Sequence, residues 1–503
     1  MIQRLLVANR GEISIRIGRT ARDMGIEYIA IYSDADRNAL HVILSDKAYR
    51  VGPPESEKSY LNMDKIVEIA KNTGADAIHP GYGFLSENAD FAEKVINAGL
   101  IFVGPPPEAM RLMGDKLQAR KLAQKVGVPT VPGSKEGISS VEEGIELARR
   151  IGFPVLLKAA MGGGGKGMRV VRSEDEFSSA FKLAQAEALG AFGDPTIYIE
   201  KFIENPRHVE MQIIADKYGN VVYLGERECS IQRRHQKIIE ESPSPIMTPQ
   251  KRKEMGEAAV ELIKAAGYYN AGTVEFLVDN DLNFYFLEVN ARLQVEHPVT
   301  EVRLGMDLVK EQLRVAMGEK LGYTQKDIEP RGWAIEARIY AEDPANNFFP
   351  SPGIIKFLRE PQGPYIRVDS GVYQGYEVPI YYDPMLSKLI AWGENREEAL
   401  NRLERALNEY IVFGIKTAID FHKKIINDER FRRGDIHTGF LNEFHYSSIE
   451  RKKEAAIAGV LVHSSKSSIS IQKPSKGECK PDSKWKIIGR ELALKGGLNE
   501  ILG

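Results

Sequence analysis

One short segment constrains the fold of this chain more than any other. Residues 279–283 (Asp-Asn-Asp-Leu-Asn) form a turn-rich stretch between two β-rich runs, residues 273–278 and 284–288. Two runs of this kind around a short polar loop predict a β-hairpin. The hairpin makes the two runs neighbouring strands and therefore decides which of their side chains face each other.

The register of this hairpin brings two carboxylates together. A four-residue loop pairs Asp279 with Phe284, and counting outward then places Glu275 directly opposite Glu288. Like charges in this position destabilise a strand pair, so we expect a compensating cation. Magnesium or manganese fits best, because these ions prefer oxygen ligands and bridge carboxylates to substrate phosphates. Asn290 can add a neutral oxygen to the same site.

The second strand of the hairpin is expected to continue to Glu296, because residues 288–296 alternate between polar and apolar side chains. Alternate side chains of an extended strand share one face. The polar face would consist of Glu288, Asn290, Arg292, Gln294 and Glu296. This alternation is also typical of an antiparallel sheet with one solvated face, so both interpretations stay open. A bend after Asn290 would remove the shared face.

A glycine-rich segment supplies candidates for phosphate binding. Residues 154–158 predict a buried strand that ends at Lys158, and residues 168–171 predict a second strand. Between them, four consecutive glycines at 162–165 would let backbone amides approach phosphate oxygens, while Lys158 and Lys166 supply positive charge. The segment lacks the Walker A spacing, and a flexible surface turn is the alternative. Its position between two strands favours the interpretation as a mobile hairpin lid that covers a nucleotide.

Six segments resemble the motifs of the biotin carboxylases, a family within the ATP-grasp ligases. They are residues 8–12 (Ala-Asn-Arg-Gly-Glu), 79–88 (His-Pro-Gly-Tyr-Gly-Phe-Leu-Ser-Glu-Asn), 113–116 (Met-Gly-Asp-Lys), 159–168, 227–237 and 288–299. Several of these motifs are long and chemically unusual. The resemblance extends from the first residues to about Phe444.

The chain is expected to be a multidomain protein of the α/β and α+β classes. Apolar runs at 4–8, 28–32, 77–79 and 101–104 alternate with helical patterns, which predicts a Rossmann-like parallel α/β domain over residues 1–114. Residues 115–330 would form the ATP-grasp domain, with the mobile lid at about 130–203, and residues 331–445 a mixed α/β domain. In the last domain we expect a helix capped by Asn395, with four side chains in the core: Ala399, Leu403, Ala406 and Tyr410.

Residues 446–503 differ in composition from the rest of the chain. The segments 464–468 and 473–481 have the composition of linkers, whereas residues 485–494 could dock on a partner. Biotin-accepting domains carry a Met-Lys-Met tripeptide, and this sequence contains none. The resemblance therefore implies that biotin is supplied in trans by a separate biotin carboxyl carrier or carboxyltransferase subunit.

The resemblance assigns roles residue by residue. The ATP site would comprise Lys116, Lys158, Gly163, Gly164, Gly165, Lys166, Met168, Glu200, Lys201, Ile203, His208, Gln232, His235 and Leu277. The metal ligands would be Glu275, Glu288 and Asn290, in agreement with the hairpin. Bicarbonate and biotin would contact Lys237, Arg292, Gln294, Val295 and Arg338. Glu296 matches the general base, and Arg338 the cation that stabilises the enolate form of biotin.

These roles imply that the chain carboxylates biotin with ATP and bicarbonate. Bicarbonate is a poor nucleophile and an anion, so Arg292 and Lys237 would neutralise it beside the γ-phosphate. Glu296 would remove its proton, and carboxyphosphate would form and release carbon dioxide for biotin. Closure of the lid would exclude water, which hydrolyses carboxyphosphate.

Other functions remain open on the sequence alone. The chain could be an ATP-grasp ligase for another carboxylate, or a catalytically silent subunit that binds nucleotide. Individual residues also have structural alternatives, because Arg338 could lie on a surface strand and His208 and His235 could be structural. The final acceptor could be pyruvate, acetyl-CoA or propionyl-CoA. The tail after residue 445 favours the two-subunit pyruvate enzyme.

Composition excludes several other classes of protein. The 503 residues include 27% charged side chains with a formal net charge of −2, which gives no support to nucleic-acid binding. The apolar stretch 455–462 is too short to span a membrane. Two cysteines, Cys229 and Cys479, make no disulfide framework and fit a cytoplasmic protein. The resemblance also implies a homodimer.

Overall fold

The computed structural model describes residues 1–134, 136–138, 140–159, 168–192, 195–234 and 236–446, which lie within one unit, Met1–Ser448. Some predictions fall outside these residues: those for Gly163, Gly164, Gly165, Lys166, His235, the side chain of Met168 and the tail. Among the described helices, none is long and apolar enough to cross a membrane.

The N-terminal part is built on a parallel sheet. Its strands are β1 (Arg4–Val7), β2 (Glu27–Ser33), β3 (Lys47–Gly52), β4 (Ala77–His79) and β5 (Ile101–Phe102). The helices are α1 (Gly11–Asp23), α2 (Leu40–Ile43), α3 (Met63–Thr73), α4 (Ala89–Asn97) and α5 (Pro107–Gly114). The sheet order is β3-β2-β1-β4-β5, which confirms the predicted parallel α/β fold. The apolar pattern does not predict β3, because most of this edge strand is exposed or half-buried.

The strand order of this sheet reverses between β1 and β4, and ligand crevices form at such points. The two strand ends are joined by the side-chain amide of Asn9, which donates to the Pro80 carbonyl at 2.8 Å and to the Tyr82 carbonyl at 2.7 Å. Gly81 lies between these two acceptors with a φ of +66°, a conformation that glycine adopts without strain. The loop after β4 is therefore held against the loop after β1.

The region expected to form the lid has its own small sheet and core. Its elements are α7 (Val141–Ile151), β6 (Val155–Ala159), β7 (Met168–Val171), α8 (Glu174–Phe192) and β8 (Ile197–Lys201), and α6 (Lys116–Lys125) precedes it. The sheet order is β7-β6-β8, and β6 and β7 are antiparallel with Lys158 opposite Met168. This arrangement confirms the hairpin that was predicted around the glycine-rich segment. Leu157, Phe177 and Ile199 pack in the core between the sheet and its helices.

An eight-stranded sheet forms the centre of the molecule. Its strands are β9 (Arg207–Ala215), β10 (Val221–Arg233), β11 (Gln236–Ser242), β12 (Asn270–Val278), β13 (Phe284–Asn290), β14 (Trp333–Tyr340), β19 (Ile366–Ser370) and β21 (Met385–Gly393). They pair in the order β13-β12-β9-β10-β11-β14-β21-β19, all antiparallel. A domain boundary was predicted at residue 330. The sheet contains strands from both sides of this boundary, because β11 pairs with β14.

Helices cover this sheet and connect it to the N-terminal part. They are α9 (Pro249–Ala265), α10 (His297–Leu304) and α11 (Leu308–Ala316). Val274 and Phe276 of β12 belong to the same hydrophobic core as Ile29 of β2 and Phe91 of α4. The parallel sheet and the central sheet are therefore packed against each other through apolar side chains.

The C-terminal part adds helices and short strands beside β21. The helices are α12 (Arg396–Glu409), α13 (Ile419–Ile426) and α14 (Glu429–Arg433), and the short strands are β15 (Glu342–Asp343), β16 (Phe349–Pro350), β17 (Gly353–Ile354), β18 (Phe357–Arg359), β20 (Glu377–Val378) and β22 (Ile411–Phe413). Asn395 caps α12 by accepting from the Glu398 amide at 3.0 Å, as predicted. The expected core residues of this helix are buried: Ala399, Leu403, Ala406 and Tyr410.

The central hairpin has the predicted pairing but not the predicted loop. Glu275 of β12 lies directly opposite Glu288 of β13. However, the pair nearest the loop is Val278 with Phe284, so Asp279 does not pair with Phe284 as expected. The register shifts between Phe276 and Glu275, which leaves one extra residue in β13. The longer loop and the bulge compensate for each other, and the two carboxylates still meet.

The predicted continuation of β13 to Glu296 is wrong. The strand ends at Asn290, and Glu296 is already the N-cap of α10 with φ −81° and ψ 13°. The alternating pattern of residues 288–296 therefore does not describe one face of a strand. A turn brings the later polar side chains to the site by another route.

Candidate active site

Lys237 lies at the centre of a cluster of three carboxylates, two of which, Glu275 and Glu296, are predicted site residues. Its ammonium, on β11, donates to Glu210 Oε2 at 2.6 Å, to Glu296 Oε1 at 2.7 Å and to Glu275 Oε1 at 2.9 Å. These carboxylates come from β9, from the cap of α10 and from β12. The Lys237 side chain is 11% exposed and all three carboxylates are buried. One ammonium cannot balance three buried carboxylates, so further cations are required.

Two buried arginines supply this charge. Arg227 on β10 donates to Glu210 at 2.5 Å, and Arg338 on β14 donates to Glu296 Oε2 at 2.9 Å. Burial alone would raise the pKa of Glu296, but the charges of Lys237 and Arg338 outweigh it and hold the pKa well below its usual range. Glu296 is therefore an ionised carboxylate with an acceptor oxygen towards each cation. This is the state that a general base requires.

The predicted metal ligands lie at the hairpin end of the cluster. Glu275 accepts from the Asn290 amide at 2.8 Å and lies 2.9 Å from His208 Nε2. Burial raises the pKa of Glu275, but Lys237 and His208 lower it more strongly, so this carboxylate is also ionised. Glu288 is more open, with 36% of its side chain exposed, and lies 3.4 Å from Lys116.

Oxygen donors of this kind suit a hard divalent cation. Glu275, Glu288 and Asn290 are neighbours on the paired strands β12 and β13, so this donor set fits magnesium or manganese. A second group of buried donors lies next to it, because His208, Glu210 and Glu275 present ligand atoms within 4.8 Å of one another. Glu275 belongs to both groups.

The residues predicted to bind nucleotide surround the lid sheet and its junction with β9. Lys158 forms a close ion pair with Glu200, which also pairs with Arg120 of α6. The Lys201 ammonium donates to the Gly152 and Phe153 carbonyls, so its side chain is used within the lid region.

The remaining predicted nucleotide contacts lie at the start of the central sheet. Gln232 donates to His208 Nδ1 at 2.8 Å, and Leu277 lies opposite His208 on the neighbouring strand. Burial lowers the pKa of His208, but the Glu275 carboxylate raises it by more. Ile203 and Leu277 are half-buried.

The turn between β13 and α10 carries the predicted anion pocket. Arg292 Nη1 donates to Gln294 Oε1 at 3.0 Å, and Arg292 Nη2 donates to Asn290 Oδ1 at 3.1 Å. Arg292 Nε donates to Glu87, at 2.9 Å, from the loop after β4. Gln294 contacts Glu275 at 3.4 Å. The irregular turn therefore brings these polar side chains to the carboxylate cluster, although they do not share a strand face.

Sequence reasoning assigned no role to several residues in and around the candidate site. They are Glu87, Arg120, Glu210, Arg227, Glu240 and Lys388. A signal existed for Glu210, because it alternates with His208 and Gln212 on β9 among apolar residues. Lys388 lies 93 residues from Val295, whose carbonyl it contacts, and no local pattern identifies it.

The lid sheet beside a carboxylate-rich antiparallel sheet defines the ATP-grasp class of ligases. Three family descriptions match the chain: "Biotin carboxylase, N-terminal domain" at residues 1–110, "Carbamoyl-phosphate synthase L chain, ATP binding domain" at 115–324 and "Biotin carboxylase C-terminal domain" at 336–443. The chain is 55% identical to a pyruvate carboxylase subunit of Methanothermobacter thermautotrophicus over 444 residues, which cover 88% of this chain and 90% of the relative. It is 54% identical to biotin carboxylase 1 of Bacillus subtilis over 445 residues, covering 88% of this chain and 99% of the relative.

A solved structure agrees with these relatives. The biotin carboxylase domain dimer of Hydrogenobacter thermophilus 2-oxoglutarate carboxylase, in complex with MgADP, ADP and bicarbonate, superposes with a TM-score of 0.81 at 46% identity. The match covers 89% of this chain and all of the other. The chain therefore belongs to the biotin carboxylase family.

The buried charge balance makes a stability prediction for Arg227. Replacing it by methionine leaves Glu210 without its arginine partner, and breaking a buried ion pair costs about 3–5 kcal/mol. We expect Arg227→Met to lower the free energy of unfolding, measured in urea, by this amount. Arg149→Met removes an exposed ion pair with Glu174 and should leave the free energy of unfolding nearly unchanged. Equal effects of the two substitutions would contradict the assigned role of Arg227.

Glu240 makes a prediction about pH. Burial raises the pKa of this carboxyl from 4.5 to about 7, although Arg338 opposes the shift. Because the folded-state pKa is the higher one, the linked stability is complete below about pH 4.5 and is lost as the pH rises through about 7. Melting temperatures between about pH 5 and pH 8 should therefore fall more steeply for the wild type than for Glu240→Gln. Parallel curves would show that Glu240 does not titrate in this range.

Proposed function

We propose that this chain is the biotin carboxylase subunit of a biotin-dependent carboxylase. It would form carboxybiotin on a separate carrier protein from ATP, bicarbonate and biotin, releasing ADP and phosphate. One observation carries the proposal: Glu296 is held ionised between Lys237 and Arg338, next to the turn that carries Arg292 and Gln294. A base, a set of cations and an anion pocket are therefore in contact.

The first step would activate bicarbonate. Lys237 and Arg292 neutralise the anion, and Gln294 orients it beside the γ-phosphate of ATP. Glu296 accepts the bicarbonate proton as a bicarbonate oxygen attacks the γ-phosphorus, and the bond to ADP breaks. The product is carboxyphosphate. Lys158 and Lys116 lie on the nucleotide side of the site and would bind the phosphates.

The second step would transfer carbon dioxide to biotin. Carboxyphosphate breaks into carbon dioxide and phosphate, and the phosphate takes the proton from biotin N1. The biotin enolate then attacks carbon dioxide, and Arg338 stabilises the negative charge on its ureido oxygen. Closure of the region around β6 and β7 would exclude water while carboxyphosphate is present.

Glu275, Glu288 and Asn290 would hold magnesium or manganese. A bound divalent ion would neutralise charge on the transferred phosphoryl group. The protein side chains orient this site from both strands of the hairpin, because Glu275 and Glu288 are directly opposite each other.

Partners follow from the same proposal. The chain lacks a biotin-accepting Met-Lys-Met tripeptide, so it would act on a separate protein that carries biotin and the carboxyltransferase. The Hydrogenobacter thermophilus domain crystallised as a dimer, which supports a homodimer for this chain. We also propose a cytoplasmic location, which the low cysteine count suggests.

Pyruvate is the acceptor we favour. The match covers 99% of the Bacillus subtilis biotin carboxylase but 90% of the Methanothermobacter pyruvate carboxylase subunit, so the latter also has residues beyond the shared part. The present chain likewise continues after the family match ends at residue 443. We infer that this tail contacts the carboxyltransferase partner.

The base assignment predicts the effect of Glu296→Ala. Loss of a general base typically lowers the rate by about 10²–10⁴-fold, so formation of carboxybiotin from free biotin should fall by this factor. Nucleotide affinity, measured by calorimetry, should not change, because Glu296 contacts Lys237 and Arg338 rather than the nucleotide residues. Glu296→Gln preserves the volume and should be equally slow, whereas Glu93→Ala, at an exposed position, should be active. Undiminished carboxybiotin formation by either Glu296 variant would refute the role.

Substrate dependence tests the function as a whole. We expect ATP turnover that requires bicarbonate and is stimulated by free biotin. Turnover that instead needs ammonia or an amino acid would identify a different ATP-grasp ligase, and an absence of turnover would favour a catalytically silent protein. In the presence of the natural carboxyltransferase partner, we expect product from pyruvate. Product from acetyl-CoA or propionyl-CoA would overturn the acceptor assignment alone.

A further inference from the structure

Lys388 is a fully buried lysine that the proposed mechanism does not use. It lies on β21, and its ammonium donates to the backbone carbonyl of Val295 at 2.9 Å. The same ammonium lies 3.2 Å from Glu12 Oε1 on α1 and 3.9 Å from Asp369 Oδ2 on β19. One positive charge thus contacts the N-terminal helix, the C-terminal strands and the turn before α10.

These contacts differ in what they provide. A buried ammonium is costly without counter-charges, and Glu12 and Asp369 supply them. Asp369 already accepts two hydrogen bonds from Arg367, at 2.9 and 2.7 Å, so Glu12 is the closer counter-charge of Lys388. The bond to Val295 adds no charge balance. It fixes the direction of one peptide group instead.

That peptide group belongs to the turn that carries the predicted anion pocket. The Val295 carbonyl belongs to the peptide that links Val295 to Glu296, the proposed base. The preceding carbonyl, of Gln294, is fixed as well, because it accepts from His297 Nδ1 at 2.8 Å. The consecutive carbonyls of Gln294 and Val295 are therefore both fixed by side-chain hydrogen bonds. Lys388, the partner of Val295, comes from a distant strand.

We propose that Lys388 is a positioning residue for biotin carboxylation. By holding the Val295 carbonyl, Lys388 fixes the backbone that would contact bicarbonate. It also fixes the point from which the Glu296 side chain extends towards the cations of the site. Glu12 balances the charge of Lys388, and this ion pair joins α1 to β21. The inference rests on the proposed function, because it assigns Lys388 to the bicarbonate pocket of that reaction.

The first measurement separates the two proposals. The wild-type chain must form carboxybiotin from ATP, bicarbonate and free biotin, and failure here would refute the proposed function before any variant is compared. Given activity, we expect Lys388→Met to lower kcat/KM for bicarbonate by about 10- to 100-fold, the effect of a misplaced reacting group. The KM for ATP should stay at the wild-type value, because Lys388 contacts no nucleotide residue. A KM for ATP that changes by the same factor as kcat/KM for bicarbonate would overturn the positioning role.

A double variant distinguishes positioning from charge balance. Lys388→Met leaves Glu12 without its cation, so the protein could lose stability for that reason alone. The variant Lys388→Met/Glu12→Gln removes both charges and should recover the melting temperature. We expect its kcat/KM for bicarbonate to remain as low as that of Lys388→Met. Recovery of the bicarbonate kinetics would mean that Lys388 only balances Glu12, and the proposal would be wrong.

Two further variants keep the test decisive if Lys388→Met does not fold. Glu12→Gln retains the Lys388 bond to Val295 and should leave kcat/KM for bicarbonate near the wild-type value; a decrease as large as that of the double variant would refute the proposal. Lys217 is a matched control, because its ammonium donates to the Ala316 carbonyl at 3.3 Å, outside the carboxylate cluster. Lys217→Met should leave kcat/KM for bicarbonate and the KM for ATP unchanged.

Discussion

The site depends on the contact of one ammonium, that of Lys237, with three buried carboxylates. Burial alone raises the pKa of Glu275 and Glu296, and the charge of Lys237 helps to lower both values well below the usual range, so these two carboxylates stay ionised in a buried site. The pKa of Glu210 stays raised, because burial and the neighbouring carboxylates outweigh Arg227 and Lys237. Arg227 and Arg338 complete the balance from the neighbouring strands β10 and β14. The cluster therefore has both charges that the proposed reaction needs, an ionised carboxylate at the proposed base and cations for a bicarbonate anion.

The order of the central sheet produces this cluster. The strands β12, β9, β10, β11 and β14 are consecutive neighbours, so side chains from residues 210, 227, 237, 275 and 338 project from adjacent strands. Glu296 reaches them from the cap of α10 because the chain turns sharply after Asn290. The turn is held in place from two sides, by Glu87 after β4 and by Lys388 of β21. The geometry of the candidate site thus depends on the N-terminal part, the central sheet and the C-terminal part.

The central hairpin illustrates how far sequence reasoning extends. The alternation of residue types and the turn residues were sufficient to pair Glu275 with Glu288, and this pairing is confirmed. The loop length was wrong, since a five-residue loop and a bulge in β13 give the same pairing as a four-residue loop without a bulge. The strand was also extended too far. Period-two alternation records which residues are polar, but a turn that presents polar side chains to a ligand produces the same pattern.

The sequence by itself determined the fold class, the parallel N-terminal sheet and the residue types of the site, because periodicity and long motifs record local structure and family membership. Apart from the pair Glu275 and Glu288, only the tertiary structure decided which of those residues meet. Arg227 and Lys388 were not predicted as site residues, since their partners depend on the tertiary structure: Arg227 meets Glu210 across the paired strands β10 and β9, and Lys388 meets a carbonyl 93 residues away. The physical reason is that a buried charge is stable only beside its counter-charge, and sheet order and helix packing bring the two together.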